Sequence, residues 1–369
     1  MLEGEVTVRK MREKRMLLFM PEYVMGGAET QFRYLIQYVE RMGLKMDVVI
    51  EHCFHNYDPL LKQDAARMKH VRFYELCGYR NGQQDIVDDA VRHILVHMIK
   101  INYTVCLIYY VQDIALVPVL RSLGIRVVYS ERVDAANITE NLYWKKCLRY
   151  CEGVFANSMH AQKVLECVLG RKVGLIRNGK PFVEQLAKKA GREIRRCLIP
   201  ARIVPHKNQM LTLQYLRKYP DFTGKFIFAG IVEDKEYQRK LLRFVSRFHL
   251  EERVEFLGYV EDMRVEYEKA DLIILPSFSE GTPNVVLEAY AYGRPVIVSD
   301  IKAEREVVRD ACLRFKPGIP DEMNKCIEYI GGLSDEAYSR MMEKNREFVL
   351  KNYNMDKMVR QFYKVLTEK

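Results

Sequence analysis

The 369-residue sequence has neither a long hydrophobic run nor a pair of cysteines at C-x-x-C spacing. The longest uncharged stretch of its most apolar region covers only residues 101–112, whereas a membrane-spanning helix needs about 18 apolar residues or more. The nine cysteines are scattered singly, which is typical of free thiols in a reducing compartment. The charged N-terminus is unlike a signal peptide. These absences predict a cytoplasmic protein without a transmembrane helix.

Nucleic-acid-binding motifs, low-complexity segments and short repeats are also missing. The net charge is nevertheless +10, and seven of these excess positive charges lie in residues 1–190. A basic half-chain can contact anionic lipid, a phosphorylated substrate or nucleic acid, but here the basic residues are interleaved with apolar ones, as on solvated helix faces. We expect no nucleic-acid partner and leave open a peripheral contact with the anionic cytoplasmic face of a membrane.

Apolar runs of strand length alternate with amphipathic stretches along the chain. This alternation is typical of α/β domains in which a parallel sheet carries helices on both faces. The predicted strands are 16–20, 46–50, 105–110, 126–129, 154–156 and 173–176, and then 196–201, 225–229, 254–258, 271–276 and 295–299. The predicted helices include 30–41, 85–100, 209–218, 236–248, 261–269 and 284–292.

The length favours two domains, because a domain usually has about 100–200 residues. We place the N-terminal domain at residues 1–185 and the C-terminal domain at 186–349, since the strand and helix alternation starts again there. A final helical pattern over residues 336–366 is expected to break near 352–354. Its last part, residues 350–369, is expected to cross back onto the N-terminal domain.

Residues 279–289 follow a predicted strand and lead from a loop into a helix. Thr282 is expected to cap this helix and Pro283 to be its first residue. Loops after parallel strands and helix N-termini bind ligands, phosphates above all, in open α/β sheets. Glu280 and Glu288 flank the helix start, and a carboxylate such as Glu288 can accept two hydrogen bonds from ribose hydroxyls. The alternative is a capping carboxylate with a solvated helical glutamate.

Two other loops next to predicted strands carry candidate ligand-binding residues. Arg202 and Lys207 follow the strand at 196–201, and two fixed cations stabilise the charge on a departing nucleoside diphosphate. The alternative is a pair of solvated basic residues. Gly26 and Gly27 precede the first predicted helix, where adjacent glycines allow a ligand to approach the backbone closely, although many ordinary turns contain the same pair.

Taken in order along the chain, these motifs resemble the retaining glycosyltransferases of family 4, which have the GT-B fold of two Rossmann-like domains facing a cleft. Residues 279–295, S-E-G-T-P-N-V-V-L-E-A-Y-A-Y-G-R-P, resemble the family's signature of two glutamates separated by seven residues. Residues 201–208, A-R-I-V-P-H-K-N, resemble its Arg and Lys loop. Residues 26–29 resemble its glycine-rich loop, and residues 176–179, I-R-N-G, the segment before its interdomain linker.

The resemblance implies a donor site in the C-terminal domain. Its implied catalytic residues are Glu280 against the donor sugar and Arg202 and Lys207 on the diphosphate. The implied donor-binding residues are Gly26, Gly27, Gly230, Tyr259, Gly281, Asn284, Val285, Val286 and Glu288. In this set Glu288 would bind the ribose, and the backbone of residues 284–286 would reach the sugar and phosphate. Gly27 would close over the phosphates from the other domain, while Gly230 and Tyr259 would border the base.

One segment departs from the family pattern. Many members carry a histidine after the central strand of the N-terminal domain, whereas this chain reads Tyr129-Ser130-Glu131-Arg132, as in a subgroup that builds surface polysaccharides. Glu131 and Arg132 are therefore candidate acceptor-site residues, with a structural ion pair as the alternative. The group that assists deprotonation of the acceptor hydroxyl is left open.

The resemblance implies transfer, with retention, of a hexose or N-acetylhexosamine from a nucleotide sugar, UDP-linked by family default, to a saccharide or lipid-linked saccharide. The resemblance also implies no metal and no cofactor, because the cationic loop and the helix dipole neutralise the diphosphate, and the absence of an Asp-x-Asp pair agrees with this. Because no nucleophile is evident, front-face displacement is favoured over a covalent route. The alternatives are a sugar-nucleotide epimerase of the same fold and a non-catalytic basic protein that binds lipid or nucleic acid.

Overall fold

The computed structural model describes residues 14–21, 27–50, 59–75, 102–132, 135–180, 193–280 and 282–368. The chain divides into two compact units, an N-terminal unit of residues 1–176 with 358–369 and a C-terminal unit of residues 177–357. The predicted limit at residue 185 stays a prediction, because it lies outside the described residues, as does the predicted helix at 85–100.

The N-terminal unit has, in its described residues, a seven-stranded parallel sheet of order β3-β2-β1-β4-β5-β6-β7. Its strands are β1 (Lys14–Met20), β2 (Met46–Ile50), β3 (Val71–Glu75), β4 (Asn102–Ile108), β5 (Arg126–Glu131), β6 (Gly153–Ala156) and β7 (Gly174–Leu175). Strand β2 is buried at every residue, and its one charged residue, Asp47, is paired with Arg15 and Arg72. Strand β3 was not predicted, because charged residues interrupt its apolar pattern and it lies at the sheet edge.

The helices of this unit are α1 (Gly27–Arg41), α2 (Pro59–Arg67), α3 (Val117–Ser122), α4 (Ala136–Glu140), α5 (Leu142–Leu148) and α6 (Met159–Leu169). Helix α1 buries residues at three- and four-residue steps, among them Phe32, Leu35, Ile36 and Val39. Burying one such side chain contributes about 1.5–3 kcal/mol, so this stripe attaches the helix to the unit.

The C-terminal unit has a six-stranded parallel sheet of order β10-β9-β8-β11-β12-β13 within the described residues. Its strands are β8 (Arg196–Pro200), β9 (Lys225–Ala229), β10 (Val254–Gly258), β11 (Leu272–Leu275), β12 (Val296–Ser299) and β13 (Arg314–Phe315). Only β13 was not predicted, since two residues are too short to give a pattern. The expected fold of two Rossmann-like parallel-sheet domains is confirmed.

The helices that follow these strands are α7 (Gln209–Lys218), α8 (Lys235–Arg247), α9 (Met263–Lys269), α10 (Asn284–Ala291), α11 (Lys302–Val307) and α12 (Pro320–Gly332). The core of this unit is one cluster of buried apolar side chains drawn from strands and helices alike, including Phe226, Phe228, Leu241 and Leu287. This packed scaffold fixes the loops at the carboxyl ends of the strands.

The chain ends in two helices, α13 (Asp335–Asn352) and α14 (Met355–Thr367), so the expected break near residues 352–354 is confirmed. The side chain of Asn354 accepts a hydrogen bond from the Lys357 amide at 2.9 Å and caps α14. Within the N-terminal unit, the Phe362 ring lies 5.7 Å from that of Phe32. The expected return of the last helix to the first domain is thereby confirmed.

Candidate active site

The carboxyl ends of three neighbouring strands bring the predicted catalytic residues together. Strand β8 pairs with β11, and β11 pairs with β12. Because all three run parallel, the loops that follow them emerge at one edge of the sheet, where α/β folds bind ligands. The loop after β8 carries Arg202 and Lys207, the loop after β11 carries Glu280, and the segment after β12 leads into α11.

Lys207 and Glu280 form an ion pair across two of these loops. The Lys207 Nζ lies 2.6 Å from the Glu280 Oε1, and the two side chains are only 16% and 12% exposed. Two hydrogen bonds hold these loops together. The Phe278 amide donates to the His206 carbonyl at 2.8 Å, and the Asn208 side-chain amide donates to the Pro276 carbonyl at 3.1 Å. Lys207 is thus a half-enclosed cation rather than a solvated one.

Arg202 is held differently from Lys207. Its guanidinium pairs with Glu233, and its side chain is 51% exposed. Its carbonyl accepts a hydrogen bond from the Gln209 side chain at 2.8 Å. Gly230 lies so close beneath this loop that a Cβ there would overlap the carbonyl of Ala201. Only glycine therefore lets β9 end so near the Arg202 loop.

Helix α10 begins one residue later than the sequence predicted. Asn284 is its first residue, Pro283 is its N-cap, and no side chain caps it, so the expected Thr282 cap and the alternative of a capping carboxylate are both wrong. Pro283 takes this place because its carbonyl accepts the first helical bonds, from the Val286 amide at 3.0 Å and the Leu287 amide at 3.3 Å.

The amides at the start of α10 are therefore not equivalent. The Val286 amide already donates to the Pro283 carbonyl within the helix, and the predicted donor contact of Val286 stays a prediction. Asn284 and Val285 precede the first intrahelical bond, where amides have no acceptor in the helix itself. Gly281, and Gly26 in the N-terminal unit, lie outside the described residues, and their predicted roles stay predictions.

Glu288 is anchored at both carboxylate oxygens. Its Oε1 lies 2.5 Å from the Lys180 Nζ, and its Oε2 accepts a hydrogen bond from the Tyr267 hydroxyl at 2.7 Å. Burial first, and then the Glu288 charge, raise the pKa of Tyr267 well above its usual range, so the hydroxyl stays a donor. Glu288 remains one-third exposed and is therefore an oriented carboxylate, not a solvated helical residue.

Sequence reasoning missed Lys180. It follows the I-R-N-G segment, and the only signal was its position at the end of that motif. Its amide donates to the Tyr353 carbonyl at 2.7 Å and its side chain is 6% exposed. Nearby, the Asn178 side chain donates to that of Asn284 at 3.0 Å. The segment thus supports α10 at its first residue and at Glu288.

Sequence reasoning also missed Glu304, the third residue of α11. Its pattern, K-A-E-R-E-V, looks like a solvated helix start, yet the residue is fully buried. Burial first, and then the Glu280 charge, raise the pKa of Glu304 well above its usual range, while Lys207 opposes this shift. Glu304 therefore lies within the electrostatic reach of the Lys207–Glu280 pair.

Gly230 and Tyr259 meet at the neighbouring edge formed by β9 and β10. The Gly230 amide donates to the Gly258 carbonyl at 2.8 Å, and Gly258 has a φ of +68°, a conformation that favours glycine. The Tyr259 ring that follows is 61% exposed. These residues are placed together, as their predicted common role requires, and that role stays a prediction.

In the N-terminal unit, Glu131 and Arg132 end strand β5. Glu131 accepts hydrogen bonds from the Tyr129 hydroxyl and from the Arg132 amide, both at 2.9 Å. The Arg132 guanidinium lies 5.2 Å and 5.5 Å from the ring centres of Phe32 and Phe362, and burial lowers its pKa to about 10. Gly27, the other predicted residue of this unit, is the exposed first residue of α1.

The described part of the chain contains no group of three or more His, Cys, Asp or Glu side chains arranged to hold a metal ion. The seven cysteines that lie in the described residues are all free thiols. No helix in the described part of the chain is both long enough and apolar enough to cross a bilayer.

Comparison with known proteins gives a family match for the C-terminal unit. Residues 195–330 match the model described as glycosyl transferases group 1. The chain is 31% identical over 138 residues to the O-antigen chain mannosyltransferase RfbU of Salmonella typhimurium, covering 37% of this chain and 38% of that protein. It is 27% identical over 180 residues to the Campylobacter jejuni enzyme named GalNAc-alpha-(1->4)-GalNAc-alpha-(1->3)-diNAcBac-PP-undecaprenol alpha-1,4-N-acetyl-D-galactosaminyltransferase, covering 46% of this chain and 47% of that one. These matches span less than half the length of either relative.

Comparison with solved structures covers both units. Anabaena Alr3699/HepE in complex with UDP and glucose aligns with a TM-score of 0.79 at 17% identity, over 96% of this chain and 100% of that one. The glycosyltransferase of Rickettsia africae aligns with a TM-score of 0.78 at 15% identity, over 96% and 98%. The expected GT-B fold is thereby confirmed, residues 195–330 match the glycosyl transferases group 1 model, and membership of the retaining family 4 stays a prediction.

Proposed function

We propose that the protein is a glycosyltransferase that moves a sugar from a UDP-linked donor to a hydroxyl of a saccharide or lipid-linked saccharide in surface polysaccharide biosynthesis. The observation that carries this proposal is the enclosed Lys207–Glu280 pair at the carboxyl edge of the sheet. A cation and a carboxylate fixed side by side suit the two halves of a nucleotide sugar, because the diphosphate needs a cation and the sugar hydroxyls need an acceptor.

Glu288 supplies the third donor contact. One carboxylate oxygen of Glu288 accepts a hydrogen bond from Lys180 and the other accepts one from Tyr267. Each oxygen keeps a further lone pair that can accept another hydrogen bond. Two ribose hydroxyls can therefore donate to Glu288 without breaking its anchors. The N-terminus of α10 and the Arg202 guanidinium add positive charge for the diphosphate.

The reaction we propose breaks the bond between the sugar's anomeric carbon and the diphosphate oxygen and forms a bond from that carbon to the acceptor oxygen. The acceptor proton goes to the departing phosphate on the same face of the sugar, which retains the anomeric configuration. Lys207 and Arg202 stabilise the charge that builds up on the leaving diphosphate, so no metal ion is required. Retention is supported by the two-glutamate signature and is part of the proposal.

The acceptor contacts are proposed at the end of β5 in the N-terminal unit. The Nε and Nη2 atoms of the buried Arg132 have no hydrogen-bond partner among the described residues, which suits an anionic group near the acceptor sugar. The Campylobacter jejuni relative is named for an acceptor on a diphosphate-linked undecaprenol. An acceptor carried on an anionic lipid also fits a peripheral membrane contact of this basic unit, which would weaken as ionic strength rises.

The test is the release of nucleoside diphosphate from a panel of nucleotide sugars, with wild type beside Lys207→Ala. We expect release from one donor, and a loss of about 10²–10³-fold in Lys207→Ala, as for removal of one charge-stabilising group. Lys240→Ala is the matched control, because Lys240 pairs with Glu236 on the solvated side of α8. Release is expected to be unchanged in this control.

A folded Lys207→Ala variant with wild-type release would contradict the donor site. Conversion of a donor sugar into its epimer without release of diphosphate would support the epimerase alternative instead. Product analysis of the transferred linkage by nuclear magnetic resonance decides retention separately, since an inverted anomer would leave the donor site intact and remove only that part of the proposal.

A further inference from the structure

Glu304 is a buried acid that the proposed reaction does not use. Its side chain is 0% exposed, and neither carboxyl oxygen has a hydrogen-bond partner among the described residues. Most buried polar groups in proteins are hydrogen-bonded, and an unpartnered one costs stability. A carboxyl group kept in such a place therefore needs an explanation beyond packing.

The fold places Glu304 in the segment that follows β12, at the same edge of the sheet as the proposed donor contacts. Strand β11 leads to the Glu280 loop and its partner β12 leads to α11, with Leu275 paired to Val298 near the ends of both strands. The electrostatic influence of Glu280 and Lys207 on Glu304 reflects this proximity. Because Glu304 has no exposed surface while the other two retain some, a ligand at this edge meets them first.

The other charged or titratable groups around Glu304 do not neutralise it. Burial first, and then the charge of Glu304, raise the pKa of the Tyr290 hydroxyl on α10. This hydroxyl has no hydrogen-bond partner among the described residues. On α11 itself, Arg305 pairs with Asp300 at 2.8 Å, Glu306 with Arg177, and Lys302 is exposed. Because Lys207 is bound to Glu280, no cation pairs with Glu304 among the described residues. Glu304 is therefore a neutral carboxylic acid with one O–H donor.

We propose that Glu304 is a positioning residue for Glu280: when the diphosphate of a bound donor attracts the Lys207 ammonium, the Glu304 carboxylic acid becomes the hydrogen-bond donor that holds the Glu280 carboxylate in place. This inference rests on the proposed function. Two carboxyl groups that share one proton are a stable arrangement where two carboxylates are not. The exchange leaves Glu280 oriented toward the sugar while Lys207 serves the leaving group.

The proposal fixes the sign of a pH effect. Below the raised pKa of Glu304 the residue is neutral and can donate to Glu280. As the pH rises through that pKa, Glu304 ionises, the shared proton is lost, and a second negative charge lies beside the diphosphate. Nucleoside diphosphate affinity should therefore fall with rising pH. Glu304→Gln keeps an N–H donor of similar size and cannot ionise, so it should remove this fall.

The experiment is calorimetric titration of the full chain with UDP, and with GDP in parallel, from about pH 6 to about pH 9, a range that brackets a raised carboxyl pKa. We expect Glu304→Gln to bind within about threefold of wild type at neutral pH and to lose the alkaline weakening. Glu304→Leu should bind about tenfold more weakly, although its thermal midpoint stays equal or rises because the unpartnered polar group is gone. Glu236→Gln, on the solvated face of α8, is the matched control.

Any pH effect that does not involve Glu304 acts equally on wild type and Glu304→Gln, so the difference between their profiles reports Glu304. Equal pH profiles in wild type and both variants would overturn the positioning role while leaving the proposed function in place. Failure of wild type to bind either nucleotide would overturn the donor site itself. If Glu304→Leu does not fold, Glu304→Gln alone carries the test.

Discussion

In the C-terminal unit, the charged residues at the sheet edge are bound to one another through their side chains, as in Lys207 with Glu280 and Lys180 with Glu288. In the N-terminal unit, the residues at the end of β5 are bound to backbone groups and aromatic side chains, since Glu131 accepts a hydrogen bond from the Arg132 amide and the Arg132 guanidinium lies against the rings of Phe32 and Phe362. Side-chain ion pairs can exchange one partner for a ligand. Backbone and ring contacts cannot be exchanged without moving the fold.

This difference suits two kinds of substrate contact. A donor brings a diphosphate with strong charge of its own, so a site built from exchangeable ion pairs can release Lys207 to it while a carboxylate keeps its orientation. An acceptor sugar brings hydroxyls with little charge, so a rigid site is the better arrangement for it. The two units therefore predict different responses to mutation, and each prediction below tests one side of the contrast.

Among the predictions that follow, the largest expected effect is at the Lys180–Glu288 pair. Glu288→Gln removes the charge that anchors the nearly buried Lys180, and we expect UDP affinity to fall roughly 30-fold and the free energy of unfolding to fall by about 1–3 kcal/mol. The double variant Lys180→Met with Glu288→Gln should recover stability, because no unpaired buried charge remains, but not affinity. Calorimetry and chemical denaturation measure the two quantities.

The control for this pair is Glu236→Gln, which removes an exposed partner of Lys240 and should change neither quantity. If the double variant recovered affinity together with stability, Glu288 would be a structural residue only. The exchangeable character assigned to this site would then rest on Lys207 alone.

The next effect concerns the rigid backbone that supports the exchangeable pairs. A Cβ at Gly230 would overlap the Ala201 carbonyl, so Gly230→Ala must displace the start of the Arg202 loop. We expect a loss of about 1–3 kcal/mol in the free energy of unfolding and weaker UDP binding in the fraction that stays folded. Denaturant titration with a binding assay measures both.

Gly331→Ala is the matched control, since Gly331 lies within α12 (Pro320–Gly332) and a Cβ there meets no neighbouring atom. It should stabilise the protein by about 0.5–1 kcal/mol because alanine is the better helix former. If Gly230→Ala were as stable as this control, the Arg202 loop would be able to move aside at no cost. The close contact between Gly230 and the Ala201 carbonyl would then not constrain the loop.

The sequence predicted the central strands of both sheets because buried parallel strands are largely apolar runs, as in β11. It also predicted which loops carry Arg202, Lys207, Glu280 and Glu288, since local motifs mark them. It did not predict their partners, because an ion pair such as Lys180 with Glu288 joins residues 108 positions apart. Glu304 was missed for a different reason, because its burial depends on how α11 packs and not on its own periodicity.

The smallest expected effect is at Arg132, and it tests the rigid side of the contrast. Arg132→Lys keeps the charge but loses the planar group that lies against the rings of Phe32 and Phe362, so we expect the KM for the acceptor to rise about fivefold to tenfold. UDP affinity should stay within about twofold, because this residue belongs to the other unit. Arg126→Lys is the control, since Arg126 pairs with Glu152 at 2.7 Å away from the end of β5. A variant that lost UDP affinity and acceptor affinity in equal measure would show that the two units do not divide donor and acceptor binding between them.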